Sequence, residues 1–386
     1  MKKIVKHKIK FILVILTMLP FVCFGSWWLH GQVQTKIELH QSFSLDKRAD
    51  FYLIFKDAIG NYKLKDGNVE HLKTEKINVG RHYDMWPWAV EKGNRYFMFP
   101  EGGSFSSRKD FNIVVLDFKK QKLDKFPNPD AEPTAVGTDG TNFYSGTSRP
   151  EGSKIYQYSP EGKVLNTYTF EKGAIIDSFM WDGQYLYALA SQDLYGNVAY
   201  ESTLLKFDKN LKLLEMKIFD DEKPLTQYLQ AVLINDKIYM VDGGAKDLEN
   251  GTFFPTKRVA VVNKNTLEIE EHLNLEENYL YQVVKDVKQE HIIIAHEPSK
   301  LRKNVISILN VKNREVITLD INDYLKENSV IDETNIVALQ TDDKDNLYIV
   351  AGDRLLIYDM DAKEWLSKTK IEGEAIGNLI GIWIKK

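Results

Sequence analysis

One cysteine, Cys23, occurs in 386 residues. No disulfide can form within the chain, and beyond residue 23 thiolate metal sites and cysteine nucleophiles are excluded. Histidine is scarce too. His40, His71, His82, His272, His291 and His296 show neither HxH nor HExxH spacing, which argues against a metal site of zinc type. No GxSxG elbow and no P-loop is present. Positive charge is also short: the net charge is −4, and setting aside the five lysines at 2, 3, 6, 8 and 10 takes it to −9. An acidic domain of this kind is a poor partner for nucleic acid, whose binding depends on neutralising phosphates.

What is present is ordinary for a folded protein: 43% hydrophobic and 27% charged residues. Aromatic residues at 12% lean towards β-structure, where broad side chains pack on a pleated surface. A chain of this length can bury a core without disulfides.

The first thirty residues differ from the rest. Residues 1–10 form a basic cap, expected on the cytoplasmic side, and residues 11–29 (FILVILTMLPFVCFGSWWL) carry no charge. About 20 apolar residues are what a helix needs to cross the hydrocarbon core. The lysines orient such a helix with the remaining chain outside, and Trp27 and Trp28 fit the far headgroup region. A cleaved signal peptide is the competing reading; its exit would be Cys23-Phe24-Gly25, and the length of the apolar run favours an uncleaved anchor. The expected organisation is thus a single-pass anchor at 11–29, a juxtamembrane linker at 30–47 and an extracytoplasmic domain at 48–386.

Within that domain one unit recurs roughly every 45 residues, the period of a propeller blade. It reads as a short apolar strand, a tight polar turn, a strand rich in Tyr, Ile, Leu and Val, a variable loop, a third strand, a second polar turn and an amphipathic fourth strand. Tyr228–Leu275 is the clearest copy, and Ala135–Phe170 repeats it. Ile176–Phe219, Tyr281–Ile321, Asn335–Ile371 and, more loosely, Met85–Phe126 follow the same plan. The turns contain Asp66-Gly67, Asp139-Gly140, Glu161-Gly162, Asp182-Gly183 and Asn235-Asp236, pairs that tolerate the positive φ of tight hairpins. Two fragments remain. Asp50–Ile77 supplies three strands and Ile376–Lys385 one, and together they complete a blade shared by the two chain ends. The expected fold is all-β: a seven-bladed β-propeller of four-stranded antiparallel blades, preceded by the transmembrane helix. Six or eight blades would require a merged or a split unit.

This organisation resembles the seven-bladed propellers of exported bacterial proteins, including quinoprotein-like, NHL-like and YVTN-like members. The resemblance covers residues 50–386 and rests on strand pattern. It is not accompanied by a WD series, a sialidase-type Asp-box or a tryptophan docking motif, so it implies a fold and no residue roles.

Loop length nominates one face. The first-to-second and third-to-fourth turns are short, whereas the second-to-third connections are long at Glu101–Asp110, Ser145–Lys154, Ser191–Thr203, Asp242–Arg258 and His296–Asn304. Long links between units at Asn78–Trp88, Asp220–Tyr228 and Asp320–Glu333 fall on the same side. There the link containing Arg81, His82, Tyr83, Trp86 and Trp88 combines broad aromatic surface with polar groups, as binding hot spots do; filling space between blades is the alternative role for the two tryptophans. Thr134, Ser178, Gln230, Gln282, Asn335 and Asn378 fall at comparable positions near the starts of inner strands. They could bind a polar ligand or simply hydrate the channel. Lys300, Arg302 and Lys303 form a basic cluster, and Asp177 is a carboxylate near the same mouth.

The leading expectation is a non-enzymatic binding or sensor module for a protein, peptide or envelope glycan, with no cofactor. The alternative is an extracytoplasmic hydrolase, lyase or lactonase at the channel mouth, where Asp, Glu and Asn oxygens could hold a divalent ion.

Overall fold

The repeat folds as its alternation of apolar and polar residues demands. Third strands such as Asn112–Asp117 and second strands such as Asn346–Ala351 are buried along their whole length. Outer strands such as Val164–Phe170 are largely exposed. A strand covered on both faces reads as a continuous apolar run, and one with a solvated face alternates. The computed structural model describes residues 39–80, 90–101, 111–129, 133–148, 152–170, 174–192, 202–219, 225–246, 253–325, 336–371 and 379–385.

These residues form seven antiparallel sheets, each with four consecutive principal strands that we call a to d from the centre outwards. The a strands of neighbouring sheets lie against one another around the centre. Blade 1 joins the chain ends: Leu379–Ile384 is strand a and pairs with Phe51–Phe55, followed by Ala58–Lys65 and Asn68–Lys76. Blades 2 to 7 then run in chain order, with the a strands of blades 3 to 7 at Pro133–Thr138, Ala174–Trp181, Leu225–Ile234, Leu280–Lys285 and Ile336–Thr341. Blade 2 begins with the two-residue strand Glu91–Lys92. It also carries an added outermost strand, His40–Ser42, antiparallel to Lys122–Pro127. Sheet structure is therefore present at His40–Ser42, inside the segment expected to be a linker. The transmembrane helix expected at 11–29 lies outside the described residues; among those described, no helix is long and apolar enough to cross a membrane.

There is no single core. Seven clusters of buried side chains lie one between each pair of adjacent blades. The seam is the most aromatic: Tyr52 and Trp383 of blade 1 meet Phe97, Phe99 and Phe118 of blade 2. Trp383 stacks on Phe118 with ring centroids 4.0 Å apart and donates its indole N–H to the Gly93 carbonyl at 3.0 Å. Such closure leaves the ring without an open end. Between blades 3 and 4 the approach is so close that a Cβ at Gly146 would lie 2.3 Å from the Ile176 Cβ. Only glycine fits there.

The expected turns are in place. Asp66, Gly67, Gly140, Gly162, Gly183 and Asn235 all have positive φ.

Candidate binding face

Strands b and d end on one face, so every b-to-c connection and every link between blades leaves from it. The two faces hold their polar residues differently.

On the short-turn face carboxylates organise the backbone of their own turns, and Asp182 also pairs with Lys264 of the next blade at 3.1 Å. Asp139 accepts the backbone N–H of Thr141 and Asn142 at 2.8 and 2.6 Å, and the Tyr144 hydroxyl donates to it at 2.9 Å. Asp182 repeats this with Gln184, Tyr185 and Tyr187, and Asp342 with Lys344, Asn346 and Tyr348. In blade 6 a histidine replaces the tyrosine: Asp286 accepts from the amides of Glu290 and His291 and pairs with the His291 ring at 3.2 Å. That hydrogen bond raises the His291 pKa above its usual 6.5. This Asp, followed five or six residues later by Tyr or His, is a repeat signature legible in the sequence that strand-pattern reading passed over.

On the long-loop face the polar groups at the ends of the b strands bond to other strands of the same blade. In strand b, the residue that pairs just beyond the strand-a bulge is Thr147 in blade 3, Asp242 in blade 5 and His296 in blade 6, and Glu101 stands at the corresponding end of strand b in blade 2. Glu101 accepts from Lys125 at 2.6 Å and Asn112 at 2.8 Å. Asp242, fully buried, accepts from Arg258 at 3.0 Å and from the Gly244 amide at 2.9 Å. Burial pushes its carboxyl above the usual range, opposed by Thr256, Arg258 and the Gly244 amide. His296, also fully buried, donates from Nδ1 to the Asn278 carbonyl at 2.7 Å and bonds through Nε2 to the Ser307 hydroxyl at 2.8 Å. A carbonyl can only accept, so the proton sits on Nδ1 and Nε2 accepts. Burial lowers this imidazole below 6.5 and keeps it neutral.

The same position is apolar in the two blades whose b-to-c connections are shortest. It is Ala351 in blade 7, followed by Gly352-Asp353, and Phe55 in blade 1, followed by Lys56-Asp57. The connections are thus long in blades 2 to 6, with a polar anchor at the base of four of the five, and only two residues long in blades 7 and 1.

Blade 4 carries the apolar Ala190 at this position despite its long connection, and its polar group is on strand a. Strand a of most blades carries a bulge, occupied by Thr134, Asp177, Leu229, Tyr281, Val337 and Ile380. Asp177 is the one carboxylate among these six. It is 2% exposed, and burial holds its pKa well above the carboxylate range. The backbone and hydroxyl of Ser191 lie beside it and pull the other way. Among the described residues neither Asp177 Oδ2 nor Ser191 Oγ has a hydrogen-bond partner.

The polar residues expected to line the channel act between blades. Thr134 donates to the Ile176 carbonyl at 2.8 Å, Ser178 accepts from the Ala231 amide at 3.2 Å, and Gln230 accepts from the Val283 amide at 2.6 Å. Ser178, Gln230 and Gln282 follow their bulges directly, whereas Thr134 is itself the bulge residue, one position out of the expected series. Gln282 is 2% exposed. Arg81, His82, Tyr83, Trp86, Trp88, Asn335 and Asn378 lie outside the described residues.

The basic cluster sits on a one-turn helix, Pro298–Leu301, within the blade 6 connection. Lys303 pairs with Glu277 at 2.5 Å, and Lys300 lies 5.9 Å from the Tyr279 ring centroid. On the outer rim a groove of about 360 Å³ runs between blades 4 and 5, lined by Lys217, Phe219 and Glu268 to His272. Among the described residues no group of three or more His, Cys, Asp or Glu side chains converges to hold a metal ion.

Ring, seam and blade order define a seven-bladed β-propeller. The chain is similar to hydrazine synthase of Kuenenia stuttgartiensis, with 14% identity and a TM-score of 0.51 over 73% of this chain and 79% of that one. It is also similar to the β-propeller domain of Cps50 (Swd1) from Myceliophteria thermophila, with 11% identity and a TM-score of 0.49 over 74% of this chain and 87% of that one. At such identities the likeness concerns the fold alone. No protein-family model matches the chain, and no curated protein matches it.

Proposed function

We propose that this protein is a membrane-tethered, extracytoplasmic binding or sensor module that engages a protein, peptide or envelope glycan through its long-loop face. One observation carries the reading. Polar anchors, buried in blades 3, 5 and 6 and half-buried in blade 2, stand at the base of the connections there, and the same position is apolar where the connection shrinks to two residues in blades 7 and 1. A rigid ring that elaborates one face and leaves the other as minimal turns concentrates recognition on that face. The charge-free run at 11–29 with its lysine cap supports the tether and the side of the membrane.

The test is to replace residues 193–201 or 247–252 with short Gly/Ser turns and to measure retention of purified envelope fractions. Loss of binding with an unchanged melting temperature is expected. Retention unaffected by both replacements, or lost only when the turns at 139–142 and 182–185 are altered, would overturn it.

Asp177 favours a second reading, an extracytoplasmic hydrolase, lyase or lactonase at the channel mouth. A carboxyl whose pKa is raised by burial is suited to donating a proton. Turnover of any ester, lactone or glycoside that persists in Asp177→Asn would remove Asp177 from that role.

A further inference from the structure

The N-terminal arm enters the propeller from a definite side. His40 pairs with Asp124 and Ser42 with Lys122, and Lys122 is the first residue of strand d after the turn at 118–121 on the short-turn face. The arm therefore runs from the long-loop face towards the short-turn face along the outer edge of blade 2. It is fixed there by several bonds. His40 pairs with Asp124 at 2.8 Å, Gln41 exchanges hydrogen bonds with the Asn78 backbone, and the Phe43 amide donates to the Gln121 carbonyl at 3.0 Å. Phe43 lies edge-on to Phe118, and Ser44 accepts from Lys73 of blade 1 at 2.7 Å. The arm bridges the seam between blades 1 and 2, so it is part of the closed ring.

Ten residues, 30–39, separate the charge-free run from this strand. Fully extended they reach roughly 35 Å. A blade is about 20 Å deep, from six residues at about 3.3 Å each. With the long-loop face towards the bilayer, the arm passes straight from the membrane into its strand. With the short-turn face towards the bilayer, the linker would first have to climb the full depth of the blade and turn back.

We infer that the long-loop face is held towards the bilayer, and that the surface it meets is the phospholipid headgroup layer of the membrane that anchors the chain. This rests on the anchor reading above and deepens it: the binding face looks onto the membrane, and its ligand is met at the headgroup level. Exposed Lys56, Lys300 and Arg302 on this face can approach lipid phosphates, but they are interspersed with exposed Asp57 and Glu276. Charge alone would not hold the face there; the short tether does.

The scarcity of cysteine makes the test direct. In a Cys23→Ser background of the full chain, single cysteines are placed at Asp57→Cys and Lys300→Cys on the long-loop face. Lys65→Cys and Lys312→Cys, on the opposite face of the same two blades, are the counterparts. Each variant is fluorescently labelled and reconstituted in phosphatidylcholine–phosphatidylglycerol vesicles carrying a headgroup nitroxide quencher. Melting temperatures matching the parent confirm that each variant is folded, and the two pairs make the result independent of either. Several-fold stronger quenching at 57 and 300 than at 65 and 312 is expected. Equal quenching on both faces, or stronger quenching at 65 and 312, overturns the orientation while leaving the anchor intact. A chain that does not float with the vesicles overturns the anchor reading and this inference together.

Discussion

Strand His291–His296 begins and ends with the same residue, and the two faces of the propeller treat the two rings oppositely. At the short-turn end His291 is paired with Asp286, which favours its charged form. At the long-loop end His296 is sealed between a carbonyl and a serine hydroxyl, and burial favours its neutral form. The short-turn carboxylates each hold the backbone of their own turn, and Asp182 also pairs with Lys264 of the next blade. The anchors of the long-loop face instead bond across the strands of their own blade. A local turn needs few residues and tolerates the loss of one; a buried polar cluster fails when any member is removed.

The largest expected effect breaks both faces at once. Trp383→Ala removes the seam's stacked indole and its bond to Gly93, at a cost of about 3–5 kcal/mol. Urea unfolding should show one transition at a lower midpoint. Two separated transitions would mean that the blades are not coupled through the seam.

Next come the two faces in direct contrast. Asp242→Ala leaves the Arg258 guanidinium without its buried carboxylate, and because Arg258 is 30% exposed the cost falls to about 2–3 kcal/mol. Asp139→Ala on the short-turn face loses one Asx turn and a tyrosine hydrogen bond, about 1–2 kcal/mol. Chemical denaturation of the two variants ranks them, and the reverse order would contradict the distinction between buried and local polar groups.

The smallest effect is a change of slope with pH. His291 has a raised folded pKa, so its contribution is fully present below about 6.5 and fades as pH rises through the raised value. His296 has a lowered folded pKa, so stability is lost as pH falls from about 6.5 through the lowered value. His291→Asn should therefore be more destabilising at pH 5.5 than at pH 9, by comparison of melting temperatures with the parent. Imidazole NMR titration should place His291 above 6.5 and His296 below it. Asp177 adds a slope of the same sign as that of His291 and opposite to that of His296: its raised pKa costs stability as pH rises from about 4 through the folded value, and Asp177→Asn should remove that dependence.

Much of the ring was legible because its information is local. The Asp-Gly and Asn-Asp pairs mark hairpins by backbone conformation alone, and the fragments Asp50–Ile77 and Ile376–Lys385 left one blade's worth of strands unassigned. The pairing of His40–Ser42 was not legible. Three residues with no alternation are too short to read as a strand, and an outer edge supplies their bonds. Nor could the anchors at Glu101, Asp242 and His296 be recognised as one position. The residue type changes from blade to blade, and only the stacking of strand ends shows that they are equivalent.

By itself the sequence determined the period, the turns, the absence of thiol chemistry and the unequal loops, because each follows from residue spacing or composition within a short stretch. Only the tertiary structure decided which polar residues are buried, that Asp177 faces Ser191 without a full set of hydrogen bonds, and from which side the arm enters. Those depend on which strand ends meet when the ring closes, and closure joins residues at opposite ends of the chain.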